Sequence, residues 1–207
     1  MNAVDHLFAA ADEALKALSG AVTAARASPC RHGDAPAAAA DKRRSAGLMR
    51  VNHTGEICAQ ALYSGQALVA REAGVRDALR RAASEERDHL AWCRDRLDDL
   101  DSRPSLLNPL WYAGSFGLGL VSGLAGDRWS MGFLSETESQ VERHLDGHLG
   151  MLPADDACSR GIVSQMREDE ARHGAMGRDL GARELPPPVK AAMRIASRIM
   201  TRTAYWV

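Results

Sequence analysis

Aromatic residues make up only 5% of this 207-residue chain, and valine and isoleucine are sparse. Few strand formers are available, so a large sheet is excluded and an alanine-rich, mostly helical chain is expected. An excess of either charge is also missing. The formal net charge is −1, so the chain as a whole is not a nucleic-acid binder by charge. The four cysteines, Cys30, Cys58, Cys93 and Cys158, lie far apart and form no Cys-x-x-Cys pair. That argues against a zinc site and for free thiols in a reducing compartment. Residues 1–20 lack a basic start and a continuous apolar run, and carry Asp5, Asp12 and Glu13. They do not read as a secretory signal or a transit peptide. They fit one amphipathic helix, with Leu7, Leu15 and Leu18 toward the body.

What is present is enough chain for one domain with a sizeable core. Residues 28–41 read as a loose linker, because Pro29, Gly33 and Pro36 disfavour helix. The expected division is an N-terminal helix and linker over 1–45 and a bundle with a C-terminal amphipathic helix over 46–207. Within the bundle, helices fit residues 42–71, 75–100, 128–152 and 156–180, with Gly181 as a cap past the fourth. Pro186, Pro187 and Pro188 precede a final helix. Loops between the first and second and between the third and fourth helices are short, so those pairs should be antiparallel hairpins. One long crossover joins helices 2 and 3. The predicted fold class is all-α, a ferritin-like four-helix bundle with flanking N- and C-terminal helices.

Two segments contain Glu-x-x-His: Glu86 with His89, and Glu170 with His173. Positions i and i+3 share a helix face, so carboxylate and imidazole can bind one ion together. Either motif alone reads as a solvated charged face. The pair carries more weight because each has an upstream partner. Glu56 precedes Glu86 by 30 residues, and Glu138 precedes Glu170 by 32. One Glu from each of two helices plus Glu-x-x-His from each of the others is the ligand set of di-iron carboxylate bundles. Apolar residues at helical spacing flank these positions and point all four faces inward. Buried carboxylates without partners are costly, and cations resolve the cost. Carboxylate with imidazole favours iron or manganese. On the third helix, Glu136 and Glu142 compete with Glu138, which best matches the spacing of the first half. Glu142 could support Glu138 from one turn away. His53, His144 and His148 are left outside the ligand set, because a lone helix histidine is more often surface or core.

These residues resemble the demethoxyubiquinone hydroxylases of ubiquinone biosynthesis. The resemblance starts at Arg50-Val51-Asn52-His53-Thr54-Gly55-Glu56 and continues through Tyr63, Gly65 and Gln66. It resumes at Glu86-x-x-His89 and at Leu110-Trp111-x-x-Gly114-x-Phe116-x-Leu118-Gly119, then at Glu138 and Glu170-x-x-His173. It covers roughly residues 48–207. Ile57-Cys58 and Leu145 depart from the pattern of some relatives. The resemblance implies metal ligands Glu56, Glu86, His89, Glu138, Glu170 and His173, two iron ions as cofactor and O2 as co-substrate. The implied reaction hydroxylates the ring of a polyprenylated methyl-methoxy-benzoquinol (demethoxyubiquinol). Electrons would come from the quinol or from NAD(P)H. No GxGxxG fingerprint is present.

A polyprenyl quinol lives in a bilayer, so the enzyme should reach one. Residues 106–126 hold no charged residue, but they include Pro109 and five glycines, a poor helix. A span would also part the two halves of the site. The segment therefore reads as interfacial, with Trp111, Tyr112 and Phe116 as candidates for insertion; the alternative is a glycine-rich crossover packed on the bundle. On the last helix Lys190, Arg194, Arg198 and Arg202 form a basic stripe, and Tyr205 and Trp206 close the chain. Together these features imply peripheral association with the cytoplasmic face of a bacterial cell membrane. A homo-oligomer or other ubiquinone-biosynthesis proteins are further possible partners. The competing readings are an iron-storage or iron-oxidising protein, and a structural bundle whose Glu and His side chains face solvent.

Overall fold

The computed structural model describes residues 3–30, 36 and 38–207. Seven helices lie among the described residues: α1 (Ala3–Ser19), α2 (Ala39–Val69), α3 (Ala73–Asp99), α4 (Asn108–Leu124), α5 (Asp127–Met151), α6 (Ala157–Asp179) and α7 (Pro187–Trp206). The bundle consists of α2, α3, α5 and α6. Lys42 at the start of α2 meets Asp101 just past α3, at 2.5 Å, so the two run antiparallel. Arg160 near the start of α6 donates to Leu149 O near the end of α5, at 2.7 Å, so the second pair is antiparallel too.

Local chemistry sets the ends of these helices. The Asp156 side chain accepts from Ser159 N at 2.9 Å and caps α6. The same carboxylate binds Arg96 NH2 at 2.7 Å, which ties the end of α3 to the start of α6. Gly181, at φ 81°, takes the left-handed turn after α6. Asp127 accepts from Arg71 N and Glu72 N, at 3.1 and 2.7 Å, and so holds the α2–α3 turn against the start of α5.

The bundle interior is layered. At one end Leu48, Met49, Trp92, Leu97, Leu145, Ile162 and Met166 form an apolar cluster. At the other end Leu62, Tyr63, Val75, Leu79, Met131 and Leu134 form a second. Along each helix, the residues between those two sets are the candidate ligands: 56 on α2, 86 and 89 on α3, 138 on α5, 170 and 173 on α6. A polar layer is therefore enclosed between two dry ones.

The crossover differs from its expected form. It is a 17-residue α-helix, not an irregular segment. Pro109 stands in its first turn, where a missing N–H costs nothing. Its glycines allow close packing on α2. A Cβ on Gly65 would meet Phe116 O at 2.5 Å, and one on Gly119 would collide with the Leu62 carbonyl oxygen. Tyr112 is buried and stacks with Phe116 at 6.4 Å between ring centroids, so it packs inward and is not available for insertion. The exposed apolar residues of this region are Leu106, Leu110, Leu118, Val121 and Leu124. Among the described residues, no helix is long and apolar enough to cross a membrane.

The N-terminal helix also docks differently. Ala17 is buried, whereas Leu15 and Leu18 are 70% and 40% exposed, so the small residues face the body. Glu13 fixes this orientation, binding Arg87 at 2.8 Å and Gln60 at 3.3 Å. The side chain of Leu7 lies outside the described residues, as does part of the expected linker. The expectation of four free thiols fails as well. Cys30 and Cys158 form a disulfide, with Cα atoms 4.7 Å apart across 128 residues of sequence, while Cys58 and Cys93 are free.

Candidate metal centre

All six predicted ligand side chains are buried. They fall into two groups, each able to offer one ligand atom per residue within 4.8 Å of the others: Glu56, Glu86, His89 and Glu170, and Glu86, Glu138, Glu170 and His173. Glu86 and Glu170 belong to both. Each group takes three residues from one hairpin and one from the other. Burial of these side chains contradicts the alternative in which they face solvent.

Both imidazoles turn Nδ1 toward the carboxylates. His89 Nδ1 lies 3.0 Å from Glu86 Oε2, 3.4 Å from Glu170 Oε1 and 3.5 Å from Glu56 Oε2. His173 Nδ1 lies 3.1 Å from Glu86 Oε1, 3.3 Å from Glu170 Oε2 and 3.9 Å from Glu138 Oε1. The opposite nitrogens are also held. His89 Nε2 is 2.8 Å from Asp169 Oδ2, and His173 Nε2 is 3.1 Å from Glu85 Oε2. A carboxylate behind each ring fixes its tautomer and leaves Nδ1 for an ion.

The electrostatics describe a centre that holds protons in place of cations. Burial, with the charge of Glu86 next, raises the Glu56 carboxyl well above its usual range. Burial and then Glu170 do the same to Glu138. For His89, burial works the other way, but the surrounding carboxylates of Asp169, Glu170, Glu56 and Glu86 outweigh it and raise the ring well above its ordinary value. His173 is pushed up to about 12, against burial, by hydrogen bonds to Glu170 and Glu86. Burial would raise Glu86, yet the His173 and His89 imidazoles beside it hold it far below the usual range.

This arrangement fits cations. Glu56 Oε2, Glu86 Oε1 and Glu138 Oε2 are buried and accept no hydrogen bond among the described residues. The imidazoles nearest to two of them are in reach but out of line. Buried acceptors of this kind are rare unless something else binds them. Four carboxylates and two imidazoles supply the oxygen and nitrogen donors that suit iron or manganese.

Several residues around the centre were given no role at it by sequence. Tyr63 donates its phenol to Glu138 Oε1. Asp169 and Glu85, next to the ligand candidates Glu170 and Glu86, back the two imidazoles. The other candidates on α5 stay out of both groups. Glu136 binds Gln140 at 2.8 Å and faces Lys190 at 3.4 Å. His144 and His148 meet as tilted rings with centroids 3.9 Å apart, and burial lowers both, His148 to about 3. His53 is also lowered to about 3 by burial, and meets Asn108 Nδ2 at 3.4 Å. Together with Thr54, which donates to Asn108 Oδ1 at 2.9 Å, it pins the start of α4. Arg50 donates to Arg103 O, Ser102 Oγ and Tyr205 O, joining crossover and chain end. The motif from Arg50 to Glu56 thus combines one ligand candidate with the anchors of α4 and α7. Nothing lies within 4 Å of a Cβ built on Gly55, so packing does not explain that glycine. A cleft of about 430 Å3, lined by Tyr63, Ala67, Leu68, Ala83, Arg87 and others, opens between α2 and α3.

Comparison with known proteins agrees with this layout. A dodecameric thioferritin from Bacteroides fragilis superposes with a TM-score of 0.58 at 16% identity, covering 80% of this chain and 93% of that one. That likeness establishes a ferritin-like fold. A protein of Bordetella petrii named 3-demethoxyubiquinol 3-hydroxylase is 58% identical over 206 residues, covering 99% of this chain and 92% of the relative. One of the same name from Chromobacterium violaceum is 54% identical over 205 residues, covering 99% and 100%. The family described as "Ubiquinone biosynthesis protein COQ7" matches residues 43–204, which include every ligand candidate. With bundle, buried carboxylates and relatives in agreement, the chain belongs to the COQ7 family of ubiquinone biosynthesis proteins.

Proposed function

We propose that this protein is a 3-demethoxyubiquinol 3-hydroxylase, a di-iron monooxygenase acting late in ubiquinone biosynthesis. The observation that carries the reading is the pair of buried carboxylate–imidazole groups sharing Glu86 and Glu170. Glu56 and His89 would complete one ion's ligands, and Glu138 and His173 the other's. Bound iron would supply reductive activation of O2 and delivery of one oxygen atom to the ring. The protein's own residues do the rest. Asp169 and Glu85 hold the imidazole Nε2 protons, so that Nδ1 of each ring stays aimed at the centre. Tyr63 positions Glu138 through its phenol. The apolar layers on either side keep bulk water from the buried charges. The cleft that Tyr63 helps to line is the proposed approach for the quinol ring, and its volume suits a ring rather than a prenyl tail.

The tail implies a membrane. Exposed Leu110, Leu118, Val121 and Leu124 on α4, with Ile195, Ile199 and Trp206 on α7, offer apolar side chains to a bilayer. The start of α4 meets the end of α7, where Leu106 N donates to Val207 O at 3.3 Å. Arg194, Arg198 and Arg202 are exposed on α7 and favour an anionic surface. This reading is peripheral association with the cytoplasmic face of the cell membrane.

The first experiment measures iron per chain and conversion of demethoxyubiquinol, with and without a nicotinamide, for the wild type and a Glu86→Ala, Glu170→Ala double variant. About two irons per wild-type chain, as the ligand set of this bundle class requires, and loss of both iron and product in the variant are expected. A folded wild type that takes up no iron would sink the proposal.

A further inference from the structure

The two imidazoles of the centre are backed unequally. Glu85, behind His173, has a side chain 39% exposed. Asp169, behind His89, is fully buried, and four groups converge on it. Gln165 Nε2 and Arg172 NH2 bind its Oδ1, at 2.8 and 2.7 Å. His89 Nε2 and Arg26 NH1 share its Oδ2, both at 2.8 Å.

Arg26 comes from outside the bundle, on the segment that follows α1. Its Nε binds Asp88 Oδ2 at 2.7 Å, so one guanidinium bridges α3 and α6 beside His89. Its NH2 lies 3.3 Å from His89 Nε2. The segment is fastened on both sides of that residue. Ala25 N donates to Asp88 Oδ1 at 2.6 Å, and Trp92 Nε1 donates to Arg26 O at 3.3 Å. The guanidinium also lies over the Trp92 ring, 5.0 Å from its centroid. Four residues further on, the Cys30–Cys158 disulfide joins the segment covalently to the first turn of α6.

We propose that Arg26 is a positioning residue for the metal centre, acting on His89 through Asp169, and that the Cys30–Cys158 bond keeps it in place. The inference rests on the reading of the six side chains as metal ligands. A planar guanidinium can hold two carboxylates in fixed relation, which an ammonium cannot. With Arg26 seated, Asp169 Oδ2 has one orientation and so does the His89 ring. Reduction of the disulfide by a dithiol transfers two electrons, breaks the S–S bond and leaves two thiols, with the reagent becoming a disulfide. The segment is then held by noncovalent contacts only. The ion nearest His89 should feel this, and the ion nearest His173 should not.

The test uses the full-length protein, freed of metal and titrated anaerobically with Fe2+ against a competing chelator. The samples are wild type, Arg26→Ala, Arg26→Lys, Cys30→Ser, and wild type reduced with dithiothreitol that is removed before iron is added. Arg26→Ala should keep one ion and hold the other about tenfold or more weakly, the scale expected for losing a ligand's hydrogen-bonded support. In the Mössbauer spectrum of the ferrous protein, one site should shift and the other stay. Arg26→Lys, which retains charge, should recover part of the affinity. Cys30→Ser and the reduced wild type should resemble each other, with a smaller loss in the same site. Melting of the metal-free proteins serves to separate misfolding from mispositioning. Wild-type affinity and an unchanged spectrum in a folded Arg26→Ala would overturn the role of Arg26. Unchanged binding after reduction would overturn the role of the disulfide. A wild type that binds no iron would overturn the metal reading itself, and this inference with it.

Discussion

At the scale of single residues, the centre is a store of protons that metal ions displace. His89 and His173 keep protons in the fold that an unfolded histidine loses near its ordinary 6.5. Glu56 and Glu138 keep protons that an unfolded carboxyl loses near 4.5. In all four cases the folded chain binds more protons than the unfolded one, so stability falls as pH rises. The histidine contribution is complete below 6.5 and is lost toward about 12 for His173. Glu86 and Asp169 act in the opposite sense, but their stabilisation is lost only at acid pH, below the ordinary carboxylate values of 4.5 and 3.8. The metal-free protein should therefore melt at progressively lower temperature from about pH 6.5 to 9. Loading with Mn2+ should abolish or reverse that slope, because bound ions hold the same groups deprotonated. A melting temperature of the metal-free protein that rises over this range would contradict the assignment.

The six ligand candidates were legible in sequence because helix geometry acts locally. Glu86 with His89 and Glu170 with His173 need only an i, i+3 spacing to share a face. Their supports were not legible. Asp169 sits beside a ligand in sequence yet serves the imidazole of another helix, 80 residues away. Arg26 reaches Asp169 across 143 residues, and Cys30 reaches Cys158 across 128. No local periodicity carries such pairings.

At the scale of elements, α4 shows where composition misleads. Four glycines and a proline weaken a helix judged by propensity alone. Here proline sits in the first turn and Gly119 and Gly123 at the α2 contact, so tertiary packing overrides the intrinsic penalty. The helix is a product of its docking. Gly119→Ala places a methyl against the Leu62 carbonyl, and backbone cannot step aside as a side chain can. That change should cost about 1–3 kcal/mol despite alanine's better helix propensity. Gly114→Ala is the control, since a Cβ there meets nothing within 4 Å. Denaturant melts of the two variants decide the matter, and equal stability would show that the contact is looser than described. The remaining bundle helices were legible to within a few residues, because their inward faces and stops are written in the apolar spacing and in Gly181 and Pro153.

At the scale of the whole molecule, the proposed membrane contact rests on α4 and α7. Among the described residues, α4 and α7 carry exposed leucine, valine, isoleucine and tryptophan side chains. Replacing Leu110 and Val121 by Asp leaves the core untouched, as both are more than 60% exposed. Binding to vesicles containing phosphatidylglycerol should drop severalfold in the double variant, since each loses a buried apolar contact with the bilayer. Wild-type binding should weaken with added salt as the arginines of α7 are screened. Undiminished binding by the double variant would place the contact elsewhere.

The division of ligands between the hairpins has one more consequence. Glu56, Glu86 and His89 belong to the α2–α3 pair, and Glu138, Glu170 and His173 to the α5–α6 pair. Neither pair alone contains a complete group, and each group borrows a carboxylate from across the interface. The ions would therefore act as rivets along the seam between two halves of one chain. A protein cut in the loop before α4 would still have both halves of the rivet hole, and metal would be the reagent that brings them back together.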